Sequence, residues 1–200
     1  MWPTPRTRFV WTLGVLLLLG CVPARELRLP DVRQTTDYTC GPSALQAVLA
    51  YYGEEASEAE LAKEMGATPT NGVPPEAIVR VARAHGLSPE LREDLNIADL
   101  AHAVRRGIPV LVALQAWPDA PIADYSQVWT EGHYVVVLAV ERDRLIFEDP
   151  SIWGSRGVLS PAEFNRRWHD QDGDRRWHHM GIFLAAPVGR RPAPPYLHID

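Results

Sequence analysis

Gln34-Thr35-Thr36-Asp37-Tyr38-Thr39-Cys40-Gly41-Pro42-Ser43-Ala44-Leu45 changes character in its middle. Upstream, residues 26–34 read as extended chain, since Pro30 is excluded from a helix interior. Downstream, Leu45, Val48, Leu49 and Tyr52 recur at spacings of three and four, one apolar face of a helix that Gly53 stops. Cys40 therefore stands where extended chain turns into helix. Exposed N–H groups at a helix start stabilise a thiolate, the reactive form of the side chain. Gly41 lets other backbone approach closely, and Pro42 needs no N–H donor in a first turn. A cysteine presented this way is a candidate nucleophile. Gln34, on the extended segment, can donate a side-chain N–H to a developing oxyanion, with the Cys40 N–H as the second donor.

Three further helices are expected in the first half. Ser57-Glu58-Ala59-Glu60 is a capping-box pattern opening a helix that ends at Gly66. Pro74-Pro75-Glu76 opens the next, with Ile78, Val79 and Ala82 on one stripe and Gly86 behind it. Asn96 to Arg106 is the last, ended by Gly107. The second half turns to strands. Ile108 to Leu114 is a run of apolar, branched residues and reads as a buried strand. A loop over 115–131 follows, then strands from His133 to Glu141 and from Leu145 to Asp149. Ser160-Pro161-Ala162-Glu163 caps a short helix, and His179 to Pro187 is a final strand. Helices first and strands later indicate an α+β fold, a helical layer on an antiparallel sheet.

The two strands after the loop carry the second chemical signal. Gly132-His133-Tyr134-Val135-Val136 puts a histidine at the start of one, and Phe147-Glu148-Asp149-Pro150 an aspartate at the end of the next. A three-residue loop centred on Arg142 sets Asp149 opposite Val135, whose side chain shares a face with His133. The two become diagonal neighbours, about 7–8 Å apart at the backbone. A two-residue loop puts them on opposite faces, so the pairing depends on register. A histidine so placed can take the thiol proton and return it to a leaving amine, while the aspartate orients the ring and stabilises the imidazolium. Trp117, Tyr125 and Trp129, in the preceding loop, are candidates to line a substrate groove or simply to pack. His169-Asp170-Gln171-Asp172-Gly173-Asp174 and His178-His179 fit neither calcium nor zinc spacing and read as a solvated loop, so neither metal nor cofactor is expected.

Composition frames this reading. Of 200 residues, two are cysteines, Cys21 and Cys40, too few for a disulfide-built exported protein. Residues 1–20 carry Arg6 and Arg8 and no acid, followed by the apolar run Val10 to Gly20. The run is shorter than the about 20 residues that span a bilayer and reads as an export signal. Leu18-Leu19-Gly20-Cys21 resembles a bacterial lipoprotein box, which makes Cys21 a lipid-bearing residue. Cleavage after Ala24 is the rival, and a Cys21–Cys40 disulfide the alternative for the thiols. The expected organisation is a signal over 1–20, a linker over 21–29, one domain over 30–187 and a loose Pro- and Arg-rich tail over 188–200. The chain's net charge of −5 argues against a nucleic-acid partner.

Together these residues resemble the C39 peptidases, which are papain-like thiol enzymes. The resemblance rests on Gln34, Cys40-Gly41, Tyr51-Tyr52-Gly53, Gly132-His133-Tyr134-Val135-Val136 and Asp149-Pro150, over about residues 30–170. It implies a triad of Cys40, His133 and Asp149, with Gln34 in the oxyanion hole and a peptide or protein as substrate. The best-known members are domains of ABC exporters that cut leaders after a double glycine on the cytosolic side. This chain shows no transmembrane bundle and no ATPase motif, has Thr39 where those members often have Asp, and carries a signal for the other side of the membrane. The alternatives on the same fold are a membrane-tethered peptide-binding module without catalysis, and acyl transfer in place of hydrolysis.

Overall fold

A computed structural model describes residues 26–194. Along the chain come α1 (Cys40–Tyr51), α2 (Glu58–Met65), α3 (Pro75–Ala84), β1 (Ser88–Arg92), α4 (Ile97–Arg105), β2 (Val110–Gln115), β3 (Gly132–Val140), β4 (Leu145–Glu148), β5 (Gly157–Leu159), α5 (Pro161–Arg167), β6 (His169–Asp172), β7 (Arg175–His178) and β8 (Gly181–Ala185). Six strands form an antiparallel sheet in the order β1-β8-β2-β3-β4-β5, and β6 with β7 makes a separate ribbon. The architecture is α+β.

Local chemistry explains most boundaries. Ser57, Asn96 and Ser160 each cap the following helix through a complete reciprocal capping box. β2 is buried along its whole length, as a central strand must be. Side chains alternate across β3. Tyr134 turns toward α1, where its ring comes within 3.3 Å of a Cβ built on Gly41. Phe147, the partner of Val137, lies on the face of Val135 and His133 and meets Phe164 of α5 at 5.5 Å. The aromatic packing continues from Phe164 to Trp168 and on to His179. Helices therefore cover both faces of the sheet, α5 being the addition to the expected single layer.

The segment before α1 joins no strand of the sheet, yet it is tied down along its length. Leu27 and Leu29 are buried, and the Leu27 N–H donates to the Leu138 carbonyl at 2.9 Å. Arg156 donates to the Leu29 carbonyl at 2.6 Å and pairs with the fully buried Glu148. Glu148 in turn accepts from the Val32 N–H at 2.8 Å. The Gln34 N–H reaches the Pro150 carbonyl at 3.0 Å. This lashing carries residue 34 to the end of the sheet where β3 begins.

Four expectations need correction. The stretch 169–174 is a β-ribbon rather than a solvated loop: β6 and β7 pair through the two-residue turn Gly173-Asp174, and Trp177 and His169 are buried. Their charged neighbours hid the strand alternation. β1 and β5 were not anticipated, because an edge strand holding Pro89 and charged residues, and a strand of three residues, look like loop. The tail is not loose where it is described. Arg190 bonds Glu54 at 2.7 Å and the Tyr52 carbonyl at 3.2 Å, and Ala193 N–H donates to Tyr51 O at 2.8 Å. Finally, the β3–β4 loop has two residues, Arg142 and Asp143, closed by Glu141 N–H to Arg144 O at 2.9 Å.

Arg156→Met should leave the Glu148 charge buried without its partner and lower stability by about 3–5 kcal/mol. A urea melt checks this; an unchanged midpoint contradicts the tying role given to the pair.

Candidate active site

Cys40 is the first residue of α1 and a buried free thiol. No side chain caps this helix. Thr39, at the cap position, turns its hydroxyl instead to Thr36, bonding the carbonyl at 3.1 Å and the hydroxyl at 2.9 Å. The amides of the first turn therefore lack the usual side-chain acceptor. Gly41 admits α3 and β3 close to that turn: a Cβ there would lie 3.3 Å from both Ile78 and Tyr134.

His133 and Asp149 meet as expected, by a different route. Val136 pairs with Glu148 and Val137 with Phe147, which by continuation sets Asp149 beside Val135. Past them the ladder shifts by one residue: Ala139 pairs with Ile146 and Val140 with Leu145. A β-bulge at Leu138 absorbs the offset that the two-residue turn introduces. Both side chains thus share a face, and His133 Nε2 lies 2.7 Å from Asp149 Oδ1, the residues being 5% and 6% exposed. Nδ1 is then the ring nitrogen left for the thiol. Burial pulls the imidazole pKa down, but the hydrogen bonds and charges of Asp149 and Cys40 outweigh it and raise the value to about 9.

The Asp149 carboxylate is held on both oxygens. Oδ1 also accepts the Ser151 N–H at 2.9 Å. Oδ2 accepts the Trp117 indole N–H at 3.1 Å. Trp117 adopts a positive φ of 57° and remains 54% exposed, lying over the carboxylate. Ser151 extends the network: its hydroxyl donates to Gln34 Oε1 at 3.3 Å. Gln34 Nε2 donates to the Thr36 carbonyl at 3.0 Å, and since an amide nitrogen has two hydrogens, one stays available for an oxyanion. A hydrogen-bonded path therefore runs from His133 through Asp149 and Ser151 to Gln34. Ser151 was not among the residues singled out from sequence; a serine two residues after an aspartate is a turn pattern too common to stand out.

Two cavities flank the group. One, of about 260 Å³, opens on Cys40 and is lined by Trp129, Tyr134 and Asp170 among others. The second, of about 340 Å³, lies beside Asp149 and is mostly apolar, with Trp117, Tyr125, Val135 and Phe147 in its wall. The three loop aromatics thus divide. Trp129 lines the cysteine cavity while packing on His169 at 4.4 Å, Tyr125 sits under Arg167 at 3.6 Å, and Trp117 serves the aspartate. Cys21 lies outside the described residues, as does the stretch 1–20 read as an export signal.

A model of the Peptidase_C39 like family matches residues 26–174. The chain belongs to that family. An uncharacterized protein of Methanothermobacter marburgensis is 32% identical over 121 residues, 60% of this chain and 71% of its own. The mesentericin-Y105 transport/processing ATP-binding protein of Leuconostoc mesenteroides is 25% identical over 73% of this chain, which spans only 18% of that longer protein. Among solved structures, a putative C39-like peptidase from Bacillus anthracis superposes with a TM-score of 0.64 at 15% identity, covering 82% of this chain and 98% of its own. The peptidase domain of Streptococcus ComA, a bifunctional ABC transporter, gives 0.61 at 22% identity, covering 80% and 99%. These likenesses show that the fold is that of C39 peptidase domains.

In this C39-like chain the raised imidazole pKa has a measurable consequence. Its folded value exceeds the ordinary 6.5, so the interaction adds stability that is full below about pH 6.5 and is lost as pH rises through about 9. Imidazole proton NMR, assigned by comparison with His133→Gln, should show His133 titrating near pH 9, and Asp149→Asn should move that midpoint downward. A midpoint unmoved by Asp149→Asn contradicts the pairing.

Proposed function

We propose that this chain is a cysteine peptidase that uses Cys40 as nucleophile, His133 as general base and acid, Asp149 as the group that orients the ring, and Gln34 as an oxyanion donor. The observation that carries the reading is the buried His133–Asp149 contact of 2.7 Å with Cys40 acting on the same ring. His133 Nδ1 takes the thiol proton, and Sγ attacks the peptide carbonyl carbon. The carbonyl oxygen gains the charge, and the Cys40 N–H with Gln34 Nε2 donates to it. The C–N bond then breaks as the imidazolium protonates the leaving amine. A water molecule, deprotonated by His133, cleaves the thioester and restores the thiol. Asp149 accepts from Nε2–H throughout, so that Nδ1 is the nitrogen that moves the proton.

Membership of the C39-like family and the shared fold support peptidase activity in the broad sense. The double glycine motif protease among the solved structures, a 17% identical domain with a TM-score of 0.58 over 81% of this chain and 95% of its own, was captured with a leader peptide. A peptide segment is accordingly the substrate class proposed here. The apolar run before Cys21 further suggests that the protein is exported to the cell envelope and held there through a lipid on Cys21.

Cys40→Ala and His133→Ala should abolish cleavage of a peptide library by the purified protein; Cys40→Ala should leave the thermal melt in place, whereas His133→Ala should lower it as the buried Asp149 loses its partner. Gln34→Ala should cost about 2.7–4 kcal/mol of barrier, a 10²–10³-fold loss in kcat. Cleavage that persists in Cys40→Ala would rule the mechanism out, and product formation only with added amine would assign acyl transfer instead. Labelled palmitate should enter the expressed full-length chain and be lost in Cys21→Ser; equal labelling of both would refute the anchor.

A further inference from the structure

The cavity that opens on Cys40 is negatively charged. Three carboxylates, Asp37, Asp170 and Asp172, line it, and among the described residues no lysine, arginine or histidine does. Its volume of about 260 Å³ falls below the about 300–1,000 Å³ of pockets that enclose a whole small molecule. It is a size for one long side chain.

Asp170 is placed there by the fold. The buried Gln115 donates to its Oδ1 at 3.1 Å and is itself fixed by the His169 carbonyl at 3.0 Å and the Glu131 N–H at 2.8 Å. The carboxyl occupies the space that a side chain at position 132 would fill: a Cβ on Gly132 would come within 2.3 Å of Oδ1. Residue 132 precedes His133, so the charge abuts the catalytic strand. Burial, more than any neighbour, raises the Asp170 pKa to about 6.

A second feature of the same wall asks for a ligand. Trp177 pairs with Asp170 across the ribbon, so their side chains share a face. Trp177 is 1% exposed and lines the cavity, yet its indole N–H has no acceptor among the described residues. Buried indole N–H groups normally have one. Two cations lie near the cavity without joining the lining: Arg175 lies over the Trp177 ring at 3.4 Å and is engaged by Glu76 at 2.9 Å and Glu93 at 3.1 Å, and Arg176 lies over the Trp129 ring at 4.5 Å and donates to Gln171 at 3.3 Å. The wall thus offers carboxylates for a cation and, beside them, a donor for a neutral oxygen.

We infer that this cavity is a specificity subsite for a cationic group of the peptide substrate, an alkylammonium or guanidinium seated against Asp170 and Asp172, with a peptide carbonyl accepting from Trp177. The inference rests on the cysteine-peptidase reading for its meaning. A lysine or arginine side chain and a free peptide N-terminus offer the same chemistry. An apolar group would leave the carboxylates desolvated and unpaired, and an acidic one would be repelled.

Two measurements on the full-length protein test it. The first needs no peptidase activity. Cys40 is alkylated with cationic 2-bromoethylamine and anionic iodoacetate, each rate mapped to Cys40 by mass spectrometry and normalised to glutathione. Asp170→Asn keeps the oxygen that accepts from Gln115, so the fold is retained, and it should lower the cationic-to-anionic ratio at least fivefold. Asp172→Asn should lower it as well. An unchanged ratio in both variants overturns the inference. The second compares kcat/KM for peptides differing at one position, lysine or arginine against norleucine and glutamate, each with a free or acetylated N-terminus. At least a tenfold preference for the basic residue, shrinking in Asp170→Asn, is expected; a loss on acetylation alone assigns the subsite to the terminal amine. Cleavage with no charge preference overturns the subsite while leaving the peptidase reading intact. Absence of any cleavage counts against that reading, and the alkylation ratio then decides the subsite by itself.

Discussion

Everything near Cys40 depends on how β3 pairs with β4. In an antiparallel ladder a slip of one residue moves every side chain to the other face. The tight Arg142-Asp143 turn, continued without interruption, would place Asp149 across the sheet from His133. The extra residue at Leu138 removes that conflict. It also frees a carbonyl from the ladder, and Leu27 takes it with its N–H. One irregularity therefore sets the histidine–aspartate contact and receives the incoming chain.

That incoming chain is what joins the Asp149 carboxylate to Gln34, more than a hundred residues away in sequence. Burying Glu148 completely is costly unless it is paired and hydrogen-bonded; Arg156 and the Val32 amide meet that need. Since Asp149 follows Glu148 directly, the same strand end holds the N-terminal segment with one carboxylate and the imidazole with the next. Ser151 closes the loop between Asp149 and Gln34. The site is thus a rigid strand terminus with a strap across it, which suits chemistry that needs fixed geometry.

Much of this could be read from residue order. The helix opening at Cys40, the capped helices after Ser57, Asn96 and Ser160, and the central strands all follow from local pattern, because a capping box or a fully apolar run states its own conformation. The meeting of His133 and Asp149 was expected for a partly wrong reason: the assumed three-residue loop and the observed two-residue turn with a bulge give the same register at the site. No local signal marks a bulge inside Val135-Val136-Val137-Leu138-Ala139. The β6–β7 ribbon escaped notice because Asp170 and Trp177, which share one face, and His169, buried on the other, are polar or amphipathic, so hydrophobic alternation is absent. Trp117 read as an aromatic that either lines a groove or packs; that its N–H serves Asp149 depends on a left-handed backbone conformation that a Trp-Pro pair in a loop does not announce.

The groove formed by Glu26 to Pro30 and Pro192 to Pro194 touches Ala50 and Tyr51, at the tail of α1. Cys40 heads the same helix, and at 1.5 Å per residue the two ends are roughly 16 Å apart. Entry and exit of the described chain are therefore neighbours at the C-terminal end of α1, with the thiol at the other end of that helix. A tether joined at Glu26 would therefore act about one helix length away from the thiol, leaving the approach to Cys40 unobstructed by its attachment point.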